Sequence, residues 1–340
     1  MDKKLFYIGK VLTAILVILL IITPGALAWG SITHAHIMTD VAEMPNAPME
    51  MKQFMRNSAG GSVTPDWCCF IALYEKFVNQ DEDAYNTWMV RQGMQHTDNF
   101  TKTMYDNADS PVEKAFAYGW ITHWPSSDKV ENEYKAIKKE QNAPSADYLE
   151  VWVDFLTYRA PKKSNLFIVQ PELIIDTWEE TYPNSDYTPT HEDIWRGVSY
   201  ARVYMWIIPC IDDTAKSLNM TLSENISLYY GDYTKFYTKS VDFAYDNVTN
   251  PQALGTKTVP YTPSIQYMPY EFRGDEMEDE ASSAIYETIE KLIDSNAIVV
   301  PYRYQRFFGT LYTRPPKIND EEAVNEALEE LTYKLNDIFK

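Results

Sequence analysis

The apolar residues of this chain recur mainly with the spacing of amphipathic helices, and one such stretch has clear boundary signals. Ser110, Pro111 and Glu113 form a capping box with proline in the first helical position, which predicts a helix start. The small and bulky apolar residues that follow indicate a helix packed on several sides. His123 ends this helix, and the acid Asp128 lies just beyond it. The two are either a histidine satisfied by a backbone carbonyl beside a solvated acid, or a functional pair.

The same spacing predicts helices in both halves of the chain. They cover residues 29–40, 84–104, 171–180, 193–208, 279–295 and 320–339. The glycine-containing stretch 60–65 ends in a proline and predicts a loop. The tyrosine- and proline-rich segments 257–271 and 301–317 predict connections between helices. The pattern as a whole indicates an all-α fold.

The N-terminus has the pattern of a secretory signal peptide. A lysine-rich start precedes an apolar run over residues 11–22, and Ala26-Leu27-Ala28 supplies a cleavage site. The run is shorter than the roughly 20 residues that a membrane-spanning helix needs. We expect residues 1–28 to be removed and the protein to be secreted with Trp29 as its first residue. The alternative is a protein anchored in the membrane by an uncleaved N-terminus.

The remaining chain is long enough to bury a sizeable core. We predict a helical core over 29–160 and a mostly helical second half over 161–340, packed on that core. Removing residues 1–28, with one acid and three lysines, changes the formal net charge from −19 to −21. Such an acidic chain lacks the basic surface that duplex nucleic acid requires. The three cysteines, Cys68, Cys69 and Cys210, cannot all pair within one chain, and the sequence leaves their state open.

Four of the five histidines lie before residue 124, among acids that can also bind metal. His34 comes about one turn after the expected new N-terminus. A free α-amine at Trp29 can lose its proton and, together with the Trp29 carbonyl oxygen, chelate a metal. His34 would then supply a further ligand. The alternative is a buried tryptophan followed by a histidine on a helix surface.

Asp66 follows Pro65 in a rigid turn, where it can serve as a metal ligand, as a general base, or as the N-cap of the next helix. Trp67 beside it can line a substrate site or pack in the core. In the helix predicted over 84–104, Gln92 and His96 lie near one face. A lone histidine at such a position is usually satisfied by an ordinary hydrogen bond.

Taken together, the segments WGSITH, SVTPD, HTDNF and AFAYGWITH, in this order, resemble the secreted zinc-dependent phospholipase C family over residues 29–155. The single-strand-specific zinc nucleases, distant relatives of that family, share the N-terminal tryptophan. The resemblance implies the multi-helical fold of this family of zinc hydrolases, here with an additional, mostly helical second half.

The resemblance also implies a ligand set. One zinc would be held by Asp66, His96, His123 and Asp128. A second would be held by the Trp29 amine and carbonyl with His34, and Asp128 would bridge the two. Asp66 would also act as the general base for water.

Two departures from the family pattern bear on these assignments. His123 and Asp128 are five residues apart rather than four, with Pro125 between them, so the helix must break to bring them together. Glu150 matches the glutamate of a third zinc, but residues 129–149 contain no histidine to accompany it. Glu131 or Glu133 can substitute with weaker affinity. We expect two zinc ions, with the third site absent or altered.

The function that the resemblance implies is hydrolysis of a phosphate ester, with a phospholipid as one substrate class and transient contact with a membrane surface. Trp67 would then help to hold a quaternary ammonium head group. Two alternatives stay open: a nuclease or nucleotidase of the same zinc superfamily, and a non-catalytic binding protein on a degenerate scaffold. His191 and Glu192 are either a late pair of metal ligands or simply the start of a helix.

Overall fold

A computed structural model describes most of the chain after the N-terminal segment. The described residues are 30–124, 130, 154, 155, 157, 167–222, 233–254, 274–305 and 310–338. The structure is 75% helical and 6% strand, which confirms a mainly helical class. Within the described residues, no helix combines the length and apolarity needed to cross a membrane.

The first half of the described chain consists of short helices joined by tight turns. In order they are α1 (Ser31–Glu43), α2 (Met49–Gln53), α3 (Met55–Val63), α4 (Trp67–Phe77), α5 (Glu82–Gln95), α6 (Asp98–Asn107) and α7 (Pro111–His123). A 3₁₀ turn, Thr64–Asp66, joins α3 to α4. The capping box predicted for α7 is present: the Glu113 N–H donates to Ser110 Oγ at 3.2 Å, and the Ser110 N–H donates to Glu113 Oε2 at 2.8 Å.

The second half contains longer helices, and those predicted from the sequence are all present. They are α8 (Pro171–Thr181), α9 (His191–Ser217), α10 (Tyr233–Thr249), α11 (Gly274–Asp294) and α12 (Glu321–Ile338). A 3₁₀ turn, Pro251–Ala253, follows α10. The helix predicted over 193–208 is longer at both ends, and its start is set by Thr190, whose Oγ1 accepts the Asp193 N–H at 3.1 Å.

Short antiparallel strands accompany these helices, which the all-α prediction did not include. They are β1 (Phe167–Val169), β2 (Ile298–Val299), β3 (Tyr302–Gln305), β4 (Thr310–Thr313) and β5 (Lys317–Ile318). One sheet has the order β1-β4-β3, and β2 pairs with β5. The prediction of a plain connection over 301–317 is therefore wrong. Strands of two to four residues are too short to show an alternating pattern.

The loop predicted over 60–65 is also wrong, because Gly60 and Gly61 lie inside α3. A Cβ built on Gly61 would lie 1.9 Å from the Phe116 carbonyl oxygen, and one on Gly119 would lie 2.0 Å from the Ser58 carbonyl oxygen. The backbones of α3 and α7 therefore touch where they cross. The glycines serve this close approach rather than a turn.

The single helix predicted over 84–104 is in fact two helices. α5 ends at Gln95, and His96 adopts φ −93° and ψ 61°, outside helical geometry. Thr97 then caps α6, its Oγ1 accepting the Phe100 N–H at 3.1 Å. A threonine that caps a new helix competes with continuation of the old one.

Large buried side chains from both halves share one hydrophobic core, with Trp67 and Trp120 from the first half and Trp178 and Phe236 from the second. α9 packs closely on α4, since a Cβ on Gly197 would lie 2.2 Å from the Trp67 carbonyl oxygen. The second half thus packs on the first. The boundary predicted near residue 160 stays a prediction.

Candidate metal centre

Three of the predicted ligands meet at the junction of α3, α5 and α7. His96 lies in the break between α5 and α6, His123 is the last residue of α7, and Asp66 closes the 3₁₀ turn. The two Nε2 atoms of the histidines are 3.0 Å apart. Asp66 Oδ1 lies 3.5 Å from His96 Nε2 and 3.4 Å from His123 Nε2. These three atoms form a nearly equilateral triangle.

Backbone carbonyls fix the orientation of both imidazole rings. His96 Nδ1 lies 2.9 Å from the Gln92 carbonyl oxygen, and His123 Nδ1 lies 2.9 Å from the Ser62 carbonyl oxygen. A carbonyl can only accept, so each Nδ1 carries the proton and donates it. In the neutral rings each Nε2 is then a bare lone pair directed into the triangle. This is the tautomer in which histidine binds a metal through Nε2.

The dimensions of the triangle match those of a zinc site. Ligand atoms around a tetrahedral zinc, with bonds of roughly 2.0–2.1 Å, lie about 3.3 Å apart. The three edges between His96, His123 and Asp66 are 3.0, 3.4 and 3.5 Å. Two imidazole lone pairs that face each other at this distance repel unless a cation or proton lies between them. The donor set therefore fits a zinc ion.

His34, from the first turn of α1, completes the cluster. Its ring stacks on that of His123 with centroids 3.7 Å apart. One ligand atom each from His34, Asp66 and His123 lie within 4.8 Å of one another. Burial lowers the pKa of His34 well below its ordinary value, and nearby His123 and His96 lower it further against the opposing effect of Asp66. A neutral imidazole is the form that binds metal.

Asp66 is held in its ionised form by the same neighbours. Burial raises its pKa, but the charge and hydrogen bond that His123 and His96 each supply when their rings carry a second proton outweigh burial, so the pKa of Asp66 lies well below the usual range. Although Asp66 stands at the N-cap position of α4, its side chain makes no capping hydrogen bond. The N-cap interpretation is therefore wrong. The carboxylate points to the histidines instead.

The cluster is almost closed to solvent, but not equally on all sides. His34 and His123 are 1% and 0% exposed, whereas Asp66 and His96 are each 7% exposed. The first two form the inner wall. The surface that the cluster still exposes belongs mainly to Asp66 and His96.

Two further residues, which the sequence pattern did not single out as part of the site, shape the centre. Asp154 is fully buried and caps the start of α1, accepting the Ile32 N–H at 3.1 Å, the Thr33 N–H at 2.8 Å and the Thr33 hydroxyl at 2.6 Å. It thereby holds the turn that carries His34. No local pattern predicts a contact across 122 positions. Gln92, by contrast, stands four residues before His96, a spacing that places both near one helix face.

Several predicted ligands lie outside the described residues. They are Trp29, Asp128 and Glu150, together with the substitutes Glu131 and Glu133. The N-terminal chelate, the bridging acid and the third zinc site therefore stay predictions. Among the described residues, the group that can hold a metal is His34, Asp66 and His123, with His96 beside them.

Trp67 does not line the centre, contrary to its predicted role in substrate binding. Its side chain is fully buried, its ring packs edge-on against Trp88 at 5.7 Å, and its Nε1–H donates to Gln95 Oε1 at 2.9 Å. The alternative that Trp67 packs in the core is confirmed. Trp67 is the first residue of α4, so the direction of its indole ring is set by the helix rather than by the direction of the neighbouring Asp66 side chain.

His191 and Glu192 do not form a pair of ligands in the structure. His191 is the first residue of α9, as the helix-start interpretation predicts, and its Nε2 lies 2.9 Å from Glu172 Oε1 on α8. The three cysteines are free thiols, of which Cys68 and Cys69 are buried. Burial raises the pKa of the Cys68 thiol well above its ordinary value, so this sulfur stays protonated.

No known protein family, curated protein or solved structure matches this chain. The likeness to the phospholipase C family therefore rests on the short segments quoted above. The function has to be argued from the geometry of the metal centre.

Proposed function

We propose that this protein is a zinc-dependent hydrolase of phosphate esters. The observation that supports the proposal best is the triangle formed by His96 Nε2, His123 Nε2 and Asp66 Oδ1, with edges of 3.0–3.5 Å. Imidazole and carboxylate without thiolate are ligands that suit zinc. His34 adds a third neutral imidazole at the inner wall.

Each residue of the cluster would have its own role. His96 and His123 would hold the zinc ion, and their backbone partners fix the orientation of both rings. Asp66 would contribute one oxygen as a ligand and would accept a proton from water with its other oxygen. A bound zinc would lower the pKa of its water and polarise a phosphoryl oxygen.

The substrate class follows from charge and from the resemblance. A phosphate monoester or a phospholipid head group would approach from the side of Asp66 and His96, where the cluster keeps its residual exposure. The formal net charge of −19 disfavours a long nucleic acid, although single-stranded oligonucleotides stay an alternative substrate. Secretion, cleavage before Trp29 and a second zinc bound there, bridged by Asp128, belong to the same proposal.

The burial of the cluster favours a second candidate, a structural zinc in a non-catalytic protein. Structural zinc sites are closed by protein ligands, whereas catalytic sites keep an open position. His34 and His123 are almost entirely buried, which suits a closed site. The slight exposure of Asp66 and His96 is what distinguishes the catalytic candidate.

One set of measurements separates the two. The protein that begins at Trp29 is purified without chelator, its zinc content is measured by native mass spectrometry, and it is assayed on a chromogenic phosphocholine ester and on single-stranded DNA. We expect bound zinc and hydrolysis of the ester. Zinc without hydrolysis of either substrate supports the structural role. No zinc after supplementation rejects both candidates.

A further inference from the structure

Gln92 touches two of the candidate ligands at once. It lies on α5 with only 2% of its surface exposed. Its Nε2–H donates to Asp66 Oδ1 at 2.9 Å, and its backbone carbonyl accepts from His96 Nδ1 at 2.9 Å. The same Nε2 lies 3.4 Å from His96 Nε2. A buried glutamine that reaches both ligands is placed to control their geometry.

The direction of the Gln92 amide is fixed by its neighbours. Its Oε1 accepts the Cys69 N–H at 3.1 Å and a proton from Gln95 Nε2 at 3.0 Å. Both partners are donors at those contacts, so turning the amide over would set its NH₂ group against two donors. The NH₂ group of Gln92 must therefore face Asp66.

Gln95 extends this arrangement to both chain neighbours of Asp66. Its Oε1 accepts the Trp67 Nε1–H at 2.9 Å, and its Nε2 donates to the Pro65 carbonyl oxygen at 2.5 Å. A continuous line of donors thus runs from Trp67 through Gln95 and Gln92 to Asp66. All of these groups are buried, so each hydrogen bond is costly to leave unmade.

The two neutral imidazoles cannot themselves donate a hydrogen bond that holds Asp66 in place. Because His96 and His123 each place their proton on Nδ1, their Nε2 atoms have no proton to give to Asp66 Oδ1. Among the contacts of the described residues, the donor that reaches Oδ1 in this protonation state is Gln92. The carboxylate has no capping bond within its own helix to hold it.

We propose that Gln92 is the positioning residue that makes Oδ1 the metal-binding oxygen of Asp66. Its hydrogen bond occupies one lone pair of Oδ1 and leaves another directed towards the two imidazoles. Oδ2 is then the atom left to accept a proton from water. The single hydrogen bond thereby separates the two roles proposed for Asp66, ligand and base. This inference rests on the proposed metal centre.

The first test compares zinc affinity in two matched variants. Gln92→Met keeps the length of the side chain and removes its donors, and Gln95→Met makes the same change three residues along, where no bond to Asp66 is lost. Loss of an outer hydrogen-bond partner typically weakens metal affinity about 10–100-fold. We expect a loss in that range for Gln92→Met and a smaller loss for Gln95→Met, which keeps the bond from Gln92 to Asp66 and removes only one of the two donors that orient the Gln92 amide.

Zinc affinity is measured by competition with a chromophoric chelator, and the Co²⁺ form is followed by its visible absorption. The spectrum of Gln92→Met should change, because the oxygen that Asp66 offers to the ion changes, whereas the spectrum of Gln95→Met should lie closer to that of the parent protein, because Gln92 and its bond to Asp66 are still present. Equal losses in the two variants, or no loss in Gln92→Met, would overturn the inference.

The second test does not need a metal. Crystal structures of the metal-free parent and of Gln92→Met should show Asp66 Oδ1 at its present 3.4–3.5 Å from the imidazoles in the parent and displaced in the variant. An unmoved carboxylate would overturn the inference. A parent protein that binds no zinc would reject the proposed function, while this comparison still decides the role of Gln92. Should Gln92→Met fail to fold, Gln92→Glu keeps the acceptor for Cys69 and Gln95 and replaces the donor by a carboxylate oxygen, which repels Asp66 Oδ1 and should likewise displace it.

Discussion

Two histidine–carboxylate clusters in this molecule differ in the way that matters for binding a metal. On the surface, His191 Nε2 and Glu172 Oε1 are 2.9 Å apart, with side chains 50% and 42% exposed. In the centre, His96 and His123 lie farther from Asp66, at 3.5 and 3.4 Å, but their side chains are 6% and 0% exposed. The surface pair is the closer of the two, yet it has less need of a bound metal ion than the buried cluster.

In the surface pair, ordinary hydrogen bonds satisfy both His191 and Glu172. A single proton bridges nitrogen and oxygen at 2.9 Å, and Tyr304 also donates to Glu172. Water screens whatever charge remains. In the centre, two nitrogen lone pairs and a carboxylate oxygen face one point, and a proton cannot satisfy all three. Proximity of histidine and acid is therefore weak support for a metal site; convergence of lone pairs in a buried place is strong support.

The largest expected effect comes from removing a ligand from the buried cluster. His123→Ala should abolish zinc binding and hydrolysis, a loss beyond the roughly 10–100-fold that removal of an outer partner causes. The matched change His191→Ala removes the histidine of the surface pair and should leave zinc content unchanged. Native mass spectrometry of both proteins checks this. Full zinc occupancy in His123→Ala would contradict the assignment.

A smaller effect separates the two roles of Asp66. Asp66→Asn keeps a neutral oxygen that can still coordinate weakly but removes the base, so turnover should fall about 10²–10⁴-fold. Zinc content should fall much less than in His123→Ala. Stopped-time ester hydrolysis with the zinc content of each sample measured in parallel provides the comparison. If the variant keeps full turnover with metal bound, Asp66 is not the base.

Another buried carboxylate, Asp154, has no histidine partner among the described residues, and its effect on stability should change with pH in the opposite direction to that of Asp66. Burial raises its pKa to about 7, outweighing its bonds from Thr33 and Ile32, against 3.8 in the unfolded chain. The native state then holds the extra proton between these values. The free energy of unfolding should fall by up to about 4 kcal/mol as pH rises from about 4 to 7.

Asp154→Asn should flatten that slope, as urea unfolding at several pH values will show. Asp66 works in the opposite direction, since its lowered pKa stabilises the metal-free fold above its unfolded value of 3.8, and this contribution is lost as the pH falls further. A parent protein whose stability does not change between pH 4 and 7 would contradict the assignment for Asp154.

The smallest effect concerns the helix crossing behind His123. Gly61→Ala forces a methyl group to within 1.9 Å of the Phe116 carbonyl oxygen and should destabilise the fold by about 3 kcal/mol. Gly93→Ala, on an exposed stretch of α5 with nothing within 4 Å, should stabilise it by about 0.5–1 kcal/mol. Thermal unfolding of both variants tests the pair. Similar shifts in the two would show that the crossing is looser than described.

The features that the sequence predicts correctly depend on interactions between residues close to one another along the chain. The start of α7 was predictable because Ser110, Pro111 and Glu113 act on one another directly. The break at His96 was missed because the cap at Thr97 competes with an uninterrupted apolar pattern. The sequence predicts a loop at Gly60 and Gly61, although both lie in a helix. A glycine needed for a turn and a glycine needed for close helix packing cannot be distinguished until the packing partner is known.

The centre itself was predictable only in part. Its residue types suggested zinc, and the resemblance suggested which of them meet, but no spacing shows that His34 stacks on His123 or that Asp66 faces both imidazoles. The role of Gln92 could not be predicted because it depends on the orientation of a buried amide, which is set by partners on its own helix, on α4 and in the 3₁₀ turn. Trp67 was given a role in substrate binding because it neighbours Asp66, whereas the helix turns its indole into the core.

The contact of α3 with α7 also affects which substitutions the protein can accept as its sequence evolves. The atom that orients His123 is the main-chain carbonyl of Ser62, and the atom that orients His96 is the main-chain carbonyl of Gln92. Every amino acid carries that carbonyl, so a substitution at position 62 that fits the buried site, such as Ser62→Ala, leaves the alignment of His123 intact. The alignment is lost instead when a side chain is added at Gly61 or Gly119. The centre is therefore tolerant of change at the residue that touches the histidine and intolerant of change at residues that touch no ligand.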